Sequence, residues 1–177
     1  MPTRRQFLKV GVAGALALGA VRVAYGPFSG RDVPPPDDYP FIFLTPTDRA
    51  IITAVAPVIL DGALAAHAVE QVVRGVDVAI AGLPPQVQDE VAQLFALLGF
   101  PVTRRLAAGV WSNWQEARPQ DVAAFLQRWR FSSIAMLRSA YQALHRLVAA
   151  SWYGNPASWQ SIGYPGPPAL AGLRPVP

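Results

Sequence analysis

Beyond position 45, apolar residues recur at near-3.6 spacing, and this period rather than the alternation of a strand sets the predicted elements. Ala50, Ile51, Ala54, Val55 and Val58 share one face of a first helix over 46–60, with Pro57 as a kink inside it. Its start is written in Thr45-Pro46-Thr47-Asp48. Thr45 suits the cap, Pro46 suits the first helical position, and Asp48 can return to the cap while favouring the positive end of the helix dipole. A second helix over 64–81 keeps Leu64, Ala68, Gln71, Val72, Gly75, Val76, Ala79 and Ile80 in period, while Glu70, Arg74 and Asp77 fall elsewhere. Gly82-Leu83-Pro84-Pro85 ends it. A third helix over 85–98 carries Val87, Val91, Leu94, Phe95 and Leu98 on one stripe before Gly99-Phe100-Pro101 punctuates the chain. Three more are predicted over 103–116, 119–131 and 132–152. The last is the most regular, with Ile134, Leu137, Tyr141, Leu144 and Val148 along one face and Arg138, Gln142, His145 and Arg146 around the others.

No alternating strand pattern of useful length occurs, so the fold class expected is all-α, a small helical bundle. Four regions follow from these patterns: a leader over 1–24, a Pro-rich extended linker over 25–44, a helical domain over 45–152 and an extended aromatic and Pro-rich tail over 153–177. The linker reading rests on Gly26-Pro27, Val33-Pro34-Pro35-Pro36 and Asp37-Asp38-Tyr39-Pro40, because proline removes a backbone donor and favours extended chain. The tail is too rich in Gly and Pro to continue a helix. Tyr153, Trp159 and Tyr164 also make it too aromatic for a disordered segment, so docking against a surface, its own bundle or a partner, is expected.

Composition narrows the function classes. The 177 residues suit one domain, and no stretch of about 18 apolar residues without charge argues for a polytopic membrane protein. The net charge of +4 comes almost wholly from scattered arginines, Lys9 being the only lysine, so there is no basic stripe for nucleic acid. Zero cysteines exclude a disulfide framework, a thiolate nucleophile, thiolate-held iron–sulfur clusters and covalent c-type haem in this chain.

The N-terminus is more informative. Thr3-Arg4-Arg5-Gln6-Phe7-Leu8-Lys9 resembles the twin-arginine export consensus at every position, the matching residues being Thr3, Arg4, Arg5, Phe7, Leu8 and Lys9. A mildly hydrophobic Gly/Ala-rich stretch over 10–21 follows, of signal-core length and short for a bilayer span. Cleavage after Ala20 would place Leu18 at the third position back, and cleavage after Ala24 would place Arg22 there, so neither offers a good small-x-small site. The expectation is a periplasmic protein exported folded by the twin-arginine translocase, with an uncut leader able to serve as a hydrophobic anchor.

Catalytic chemistry is sparse in the sequence. His67 and His145 are the only histidines, and a metal site would need long-range assembly with Asp61, Glu70 or Asp77. No serine sits in a Gly-x-Ser-x-Gly setting. Arg104-Arg105 reads either as a solvated helix start or as an anion contact. Trp111, Trp114, Phe125, Trp129 and Phe131 form an aromatic middle that core packing explains for the most part, with interface use as the alternative.

Three segments together resemble the gluconate 2-dehydrogenase subunit 3 family, the small subunits of membrane-bound, flavin-dependent sugar and alcohol dehydrogenases. They are the leader; the run Phe43-Leu44-Thr45-Pro46-Thr47-Asp48-Arg49-Ala50-Ile51-Ile52 with Ala56-Pro57-Val58-Ile59; and the tail from Trp159 through Gly163-Tyr164-Pro165-Gly166-Pro167-Pro168. The sequence departs from the family after the first helix, where Leu60-Asp61-Gly62 stands in place of a Pro-Gly. The resemblance implies a non-catalytic, chaperone-like accessory subunit that binds an FAD-dependent catalytic subunit of the glucose–methanol–choline type and escorts it through the twin-arginine channel. It implies no cofactor in this chain, FAD in the partner, and in some complexes a multihaem cytochrome c subunit. Tyr153, Trp159, Tyr164, Pro165 and Pro167 are the expected partner-binding residues. The competing readings are a stand-alone exported helical binding protein and an exported enzyme with an unrecognised site.

Overall fold

Thr45 starts the first helix as its sequence predicts. In the computed structural model, which describes residues 39–159 and 162–166, its backbone is extended, its Oγ1 accepts the Asp48 N–H at 3.3 Å, and Asp48 Oδ2 accepts the Thr45 N–H at 2.9 Å. That capping box opens α1, Pro46–Ile59. Pro57 lies in the last turn on the exposed side with Thr53, where water can satisfy the carbonyl that proline leaves without a donor. Leu60 closes the helix by donating to Ala56 O at 2.9 Å.

The second helix, α2, spans Val69–Ala81 and so starts later than 64. Ala63 and Leu64 donate back to Leu60 O at 2.8 and 3.2 Å, which ties them to the end of α1, and a 3₁₀ turn, Ala66–Ala68, intervenes. Gln88 of α3, Pro85–Gly99, caps the end of α2 by donating from Nε2 to Leu83 O at 2.9 Å and Ala81 O at 3.2 Å.

The predicted helix over 103–116 does not form as one element. Its place is taken by a short α4, Pro101–Thr103, a π-helical turn, Arg104–Ala108, and a 3₁₀ turn, Trp114–Glu116. Two causes act together. Gly109 takes the left-handed conformation at φ 64°, which stops the helix, and the carbonyls just before it are claimed by side chains of the next helix. Trp129 Nε1 donates to Ala107 O at 2.9 Å, and the Arg128 guanidinium donates to Ala108 O. Those donors come from α5, Pro119–Arg130; then follow α6, Ala135–Tyr153, and α7, Pro156–Trp159. Among the described residues there are seven helices and no strands, so the fold is an all-α bundle. The tail does not continue α6, as expected, but the single turn of α7 lies within the segment predicted as extended.

α1 is the central element and packs on α2, α3, α5 and α6. Ile51, Ile52, Val55 and Ala56 of α1 meet Val72, Val76 and Ile80 of α2, Phe95 and Leu98 of α3, Phe125 and Trp129 of α5, and Leu144 and Val148 of α6 in one buried cluster. The aromatic middle divides. Trp114, Phe125 and Trp129 are core, stacked edge to face with centroids 6.0 and 4.8 Å apart, each such pair adding about 0.5–1.5 kcal/mol beyond its area. Trp111 and Phe131 are 73% and 74% exposed, so core packing does not account for them.

All the described residues belong to one compact unit, Asp38–Pro177. The predicted leader and most of the linker lie outside the described residues. The end of that linker is nevertheless part of the fold: Leu44 is buried, and Phe41 and Phe43 pack against the core. Asp77, predicted off the apolar stripe of α2, is fully buried and receives the backbone of this segment. The folded part therefore begins before Thr45.

Candidate partner-binding surface

Of the expected partner-binding residues, those within the described residues follow from the end of α6 onward. Gly154 donates to Ala150 O at 2.8 Å to finish that helix, and Asn155 then turns the chain, its Oδ1 accepting the Ala157 N–H at 2.9 Å to start α7. Asn155 Nδ2 approaches Gln71 Oε1 of α2 at 3.4 Å, and the buried Ser158 donates to Asn155 O at 2.8 Å. These bonds place Trp159 back over the helix it followed. Its indole N–H donates to Tyr153 O at 3.0 Å, and Tyr164 stacks edge to face on its ring at 5.3 Å.

The segment is folded, not extended as predicted. Tyr164 N–H returns to Trp159 O at 2.9 Å, with Gly163 in the left-handed region at φ 68°. Gly166 has φ 97°, and a Cβ there would sit 3.2 Å from the indole, so glycine suits the close pass of the chain over Trp159. The structure thus joins Trp159 and Tyr164 in a ring clasp tied to the Tyr153 carbonyl; Pro165 follows Tyr164 as an exposed residue, and Pro167 lies outside the described residues. Trp159 spends its N–H within the chain. What the clasp presents outward is Ile162, Tyr164 and Tyr153, at 49%, 44% and 42% exposure. Ile162 escapes a sequence reading that looks for aromatics.

The candidate chemistry elsewhere is dispersed. His67 and His145 are both exposed, one in the 3₁₀ turn before α2 and the other beside Tyr141 at 5.8 Å. Glu70 is paired with Arg74, Asp77 is committed to backbone donors, and among the described residues no three His, Cys, Asp or Glu side chains gather as a metal site. Arg104, read as a solvated helix start, is instead buried, with Nη2 3.4 Å from Asn113 Oδ1. Burial lowers its pKa, and the neighbouring Arg105 charge pushes the same way. Arg105 is exposed, its guanidinium 5.7 Å from the Trp111 ring. An open, largely apolar groove of about 360 Å³ runs along α1 between Ala50, Ala54, Pro57 and Val58 on one side and Trp114 on the other. No helix among the described residues is long and apolar enough to cross a membrane.

The export residues Thr3, Arg4, Arg5, Phe7, Leu8 and Lys9 lie outside the described residues. No family model matches the chain, and comparison with curated proteins and with solved structures found no match.

Proposed function

We propose that this chain is the non-catalytic small subunit of a periplasmic, membrane-associated FAD-dependent dehydrogenase of the glucose–methanol–choline type, and that it escorts the catalytic subunit through the twin-arginine pathway. The observation that carries this reading is the leader, whose residues 3–9 match the export consensus at every position. Because the twin-arginine route moves folded cargo, one signal serves every subunit bound to its carrier before export. A carrier needs a preformed contact surface. The clasp of Tyr153, Trp159 and Tyr164 supports that role, since a segment already folded on its own helix loses little further freedom when it docks.

Affinity purification of the tagged full-length chain from its own periplasm tests the proposal. The expected result is co-elution of a flavoprotein whose flavin absorption stays with the partner when the two are separated, and retention of that flavoprotein in the cytoplasm when this chain is deleted. Recovery of this chain alone, stable and soluble, together with normal export of every flavoprotein, would contradict it. That outcome would favour the second reading, a stand-alone exported helical binding protein, for which the apolar groove along α1 is the ligand-sized feature.

A further inference from the structure

The turn between α5 and α6, with the first turn of α6, carries three large apolar side chains that the bundle does not cover. Phe131, Ile134 and Met136 are 74%, 56% and 71% exposed, although Ile134 is predicted on the apolar face of its helix. They stand on a built turn. Ser132 Oγ accepts the Ile134 N–H at 3.1 Å, and Arg138 Nη1 donates to Ser132 O at 2.6 Å. Next to them lies an open depression of about 270 Å³ lined by Arg130, Tyr141, Gln142, His145 and Arg146. Arg130 joins the two features, because its guanidinium lies 5.2 Å from the Phe131 ring.

Charge decides what this surface can meet. No Asp or Glu occurs in the sequence after Asp121, whereas Arg128, Arg130, Arg138, Arg146 and Arg174 do. Among the described residues, Arg130, Arg138 and Arg146 form no ion pair with a carboxylate, the pairs found being Arg74 with Glu70 and Arg118 with Asp121. A second copy using the same face would set arginine against arginine. The chain's own residues 1–38 are net basic and offer no better complement. The occupant must be anionic and must accept apolar side chains. Phe131 and Ile134 project from a short connector and Met136 from the first turn of α6, rather than line a groove, so they fit a surface that yields to them better than one that must match their shape.

We infer that the α5–α6 turn is a reversible docking site for an anionic phospholipid bilayer. Phe131, Ile134 and Met136 enter the boundary between headgroups and acyl chains, while Arg130, Arg138 and Arg146 meet the lipid phosphates. The site uses none of the leader's residues, and it does not depend on which enzyme the chain accompanies.

The absence of cysteine allows a site-resolved test in the full-length chain. A polarity-sensitive fluorophore attached to Met136→Cys should shift to the blue with vesicles of phosphatidylglycerol and phosphatidylcholine, and not with phosphatidylcholine alone. The same label at Ala92→Cys, an exposed position on α3, should not respond. Arg130→Gln with Arg146→Gln should weaken binding to the anionic vesicles by about fivefold per charge removed, the effect of one basic residue near such a surface. Because the leader is itself apolar and basic, sedimentation with vesicles is not sufficient. Sedimentation without a shift at position 136, an equal shift at positions 136 and 92, or an equal shift on uncharged vesicles would each overturn the proposal. So would a label that ignores vesicles and responds only to the copurifying flavoprotein, which would make the turn a protein interface.

Discussion

Asp77 Oδ1 accepts the backbone N–H of Leu44 at 2.8 Å, joining the middle of α2 to the segment that leads into α1. The same oxygen accepts Phe43 N–H at 2.8 Å and Oδ2 accepts Ile42 N–H at 2.9 Å, so one carboxylate satisfies three consecutive donors. Asp77→Ala should lower unfolding free energy by on the order of 3 kcal/mol, since hydrogen bonds to a charged group are lost and donors are left buried. Asp77→Asn should cost less, because an amide oxygen can still accept from Phe43 and Leu44. Denaturant unfolding of both variants measures this; an unchanged midpoint for Asp77→Ala would mean that residues 42–44 are not held as described.

Asp77 also shows how far the sequence could be read. The helices with clean caps and breaks, 46–60, 85–98 and 119–131, are legible because Thr45-Pro46, Pro85 and Pro119 fix their starts by local chemistry. Asp77 is legible only in principle: it lies at helical spacing from Val73 and Ile80, on the buried stripe, but the apolar period of the sequence leaves a charged side chain out. What it binds is decided by a segment more than 30 positions away, and the period of a helix carries no such information. The failed helix over 103–116 has the same origin, since the carbonyls that end it are taken by Arg128 and Trp129 from α5. In the candidate surface the aromatics could be named, but their stacking depends on φ values at Gly163 and Gly166 that a Gly-Pro segment leaves open.

Gly109 should not tolerate a side chain. It sits at φ 64°, and an added Cβ would collide with the Arg128 guanidinium that bonds Ala108 O. Gly109→Ala should therefore cost about 1–2 kcal/mol from the left-handed backbone alone, with more from displacing Arg128. Thermal unfolding of Gly109→Ala beside Arg128→Ala checks the coupling. If the two losses simply add in the double variant, the contact is not the cause.

Asp48 gives the bundle a pH signature. Burial pushes its carboxyl above the ordinary value of 3.8, against the side-chain and backbone hydrogen bonds with Thr45 that pull it down. The folded state then holds the proton more tightly than the unfolded state. This group's contribution is therefore most favourable below pH 3.8 and is lost as pH rises through the raised folded value. Asp48→Asn removes the titration while keeping an acceptor in the cap. The stability of the wild type relative to Asp48→Asn should fall with rising pH across that window, and a rise would show that the cap and helix dipole outweigh burial.

Replacing Arg4 and Arg5 together by Lys should hold the chain in the cytoplasm. A guanidinium offers a planar fork of donors where an ammonium offers a compact point charge, so the substitution keeps the charge and removes the geometry. Fractionation of cells carrying the double variant reads the outcome. Undiminished periplasmic delivery would remove the basis for the proposed export route, and with it the carrier role.

The tail clasp is the contact that the accessory reading needs, and two variants separate binding from folding. Truncation after Gly154 keeps Tyr153 but removes Trp159 and Tyr164, and with them Ser158, which is fully buried, so loss of stability there would mean that the clasp covers its own bundle. The sharper variant pairs Ile162→Ser with Tyr164→Ser, because both side chains are about half exposed, at 49% and 44%, and neither donates a side-chain hydrogen bond that holds Trp159 in place. Hot-spot residues at interfaces are commonly large, rigid and aromatic, and truncating a pair of them costs well over 1 kcal/mol. The double variant should leave helical content and melting of the isolated chain nearly unchanged while weakening its association with the flavoprotein by at least tenfold, about 1.4 kcal/mol. Circular dichroism and a binding titration measure the two effects separately. If melting falls and affinity holds, the rings serve the fold; if neither moves, the interface lies elsewhere on the chain.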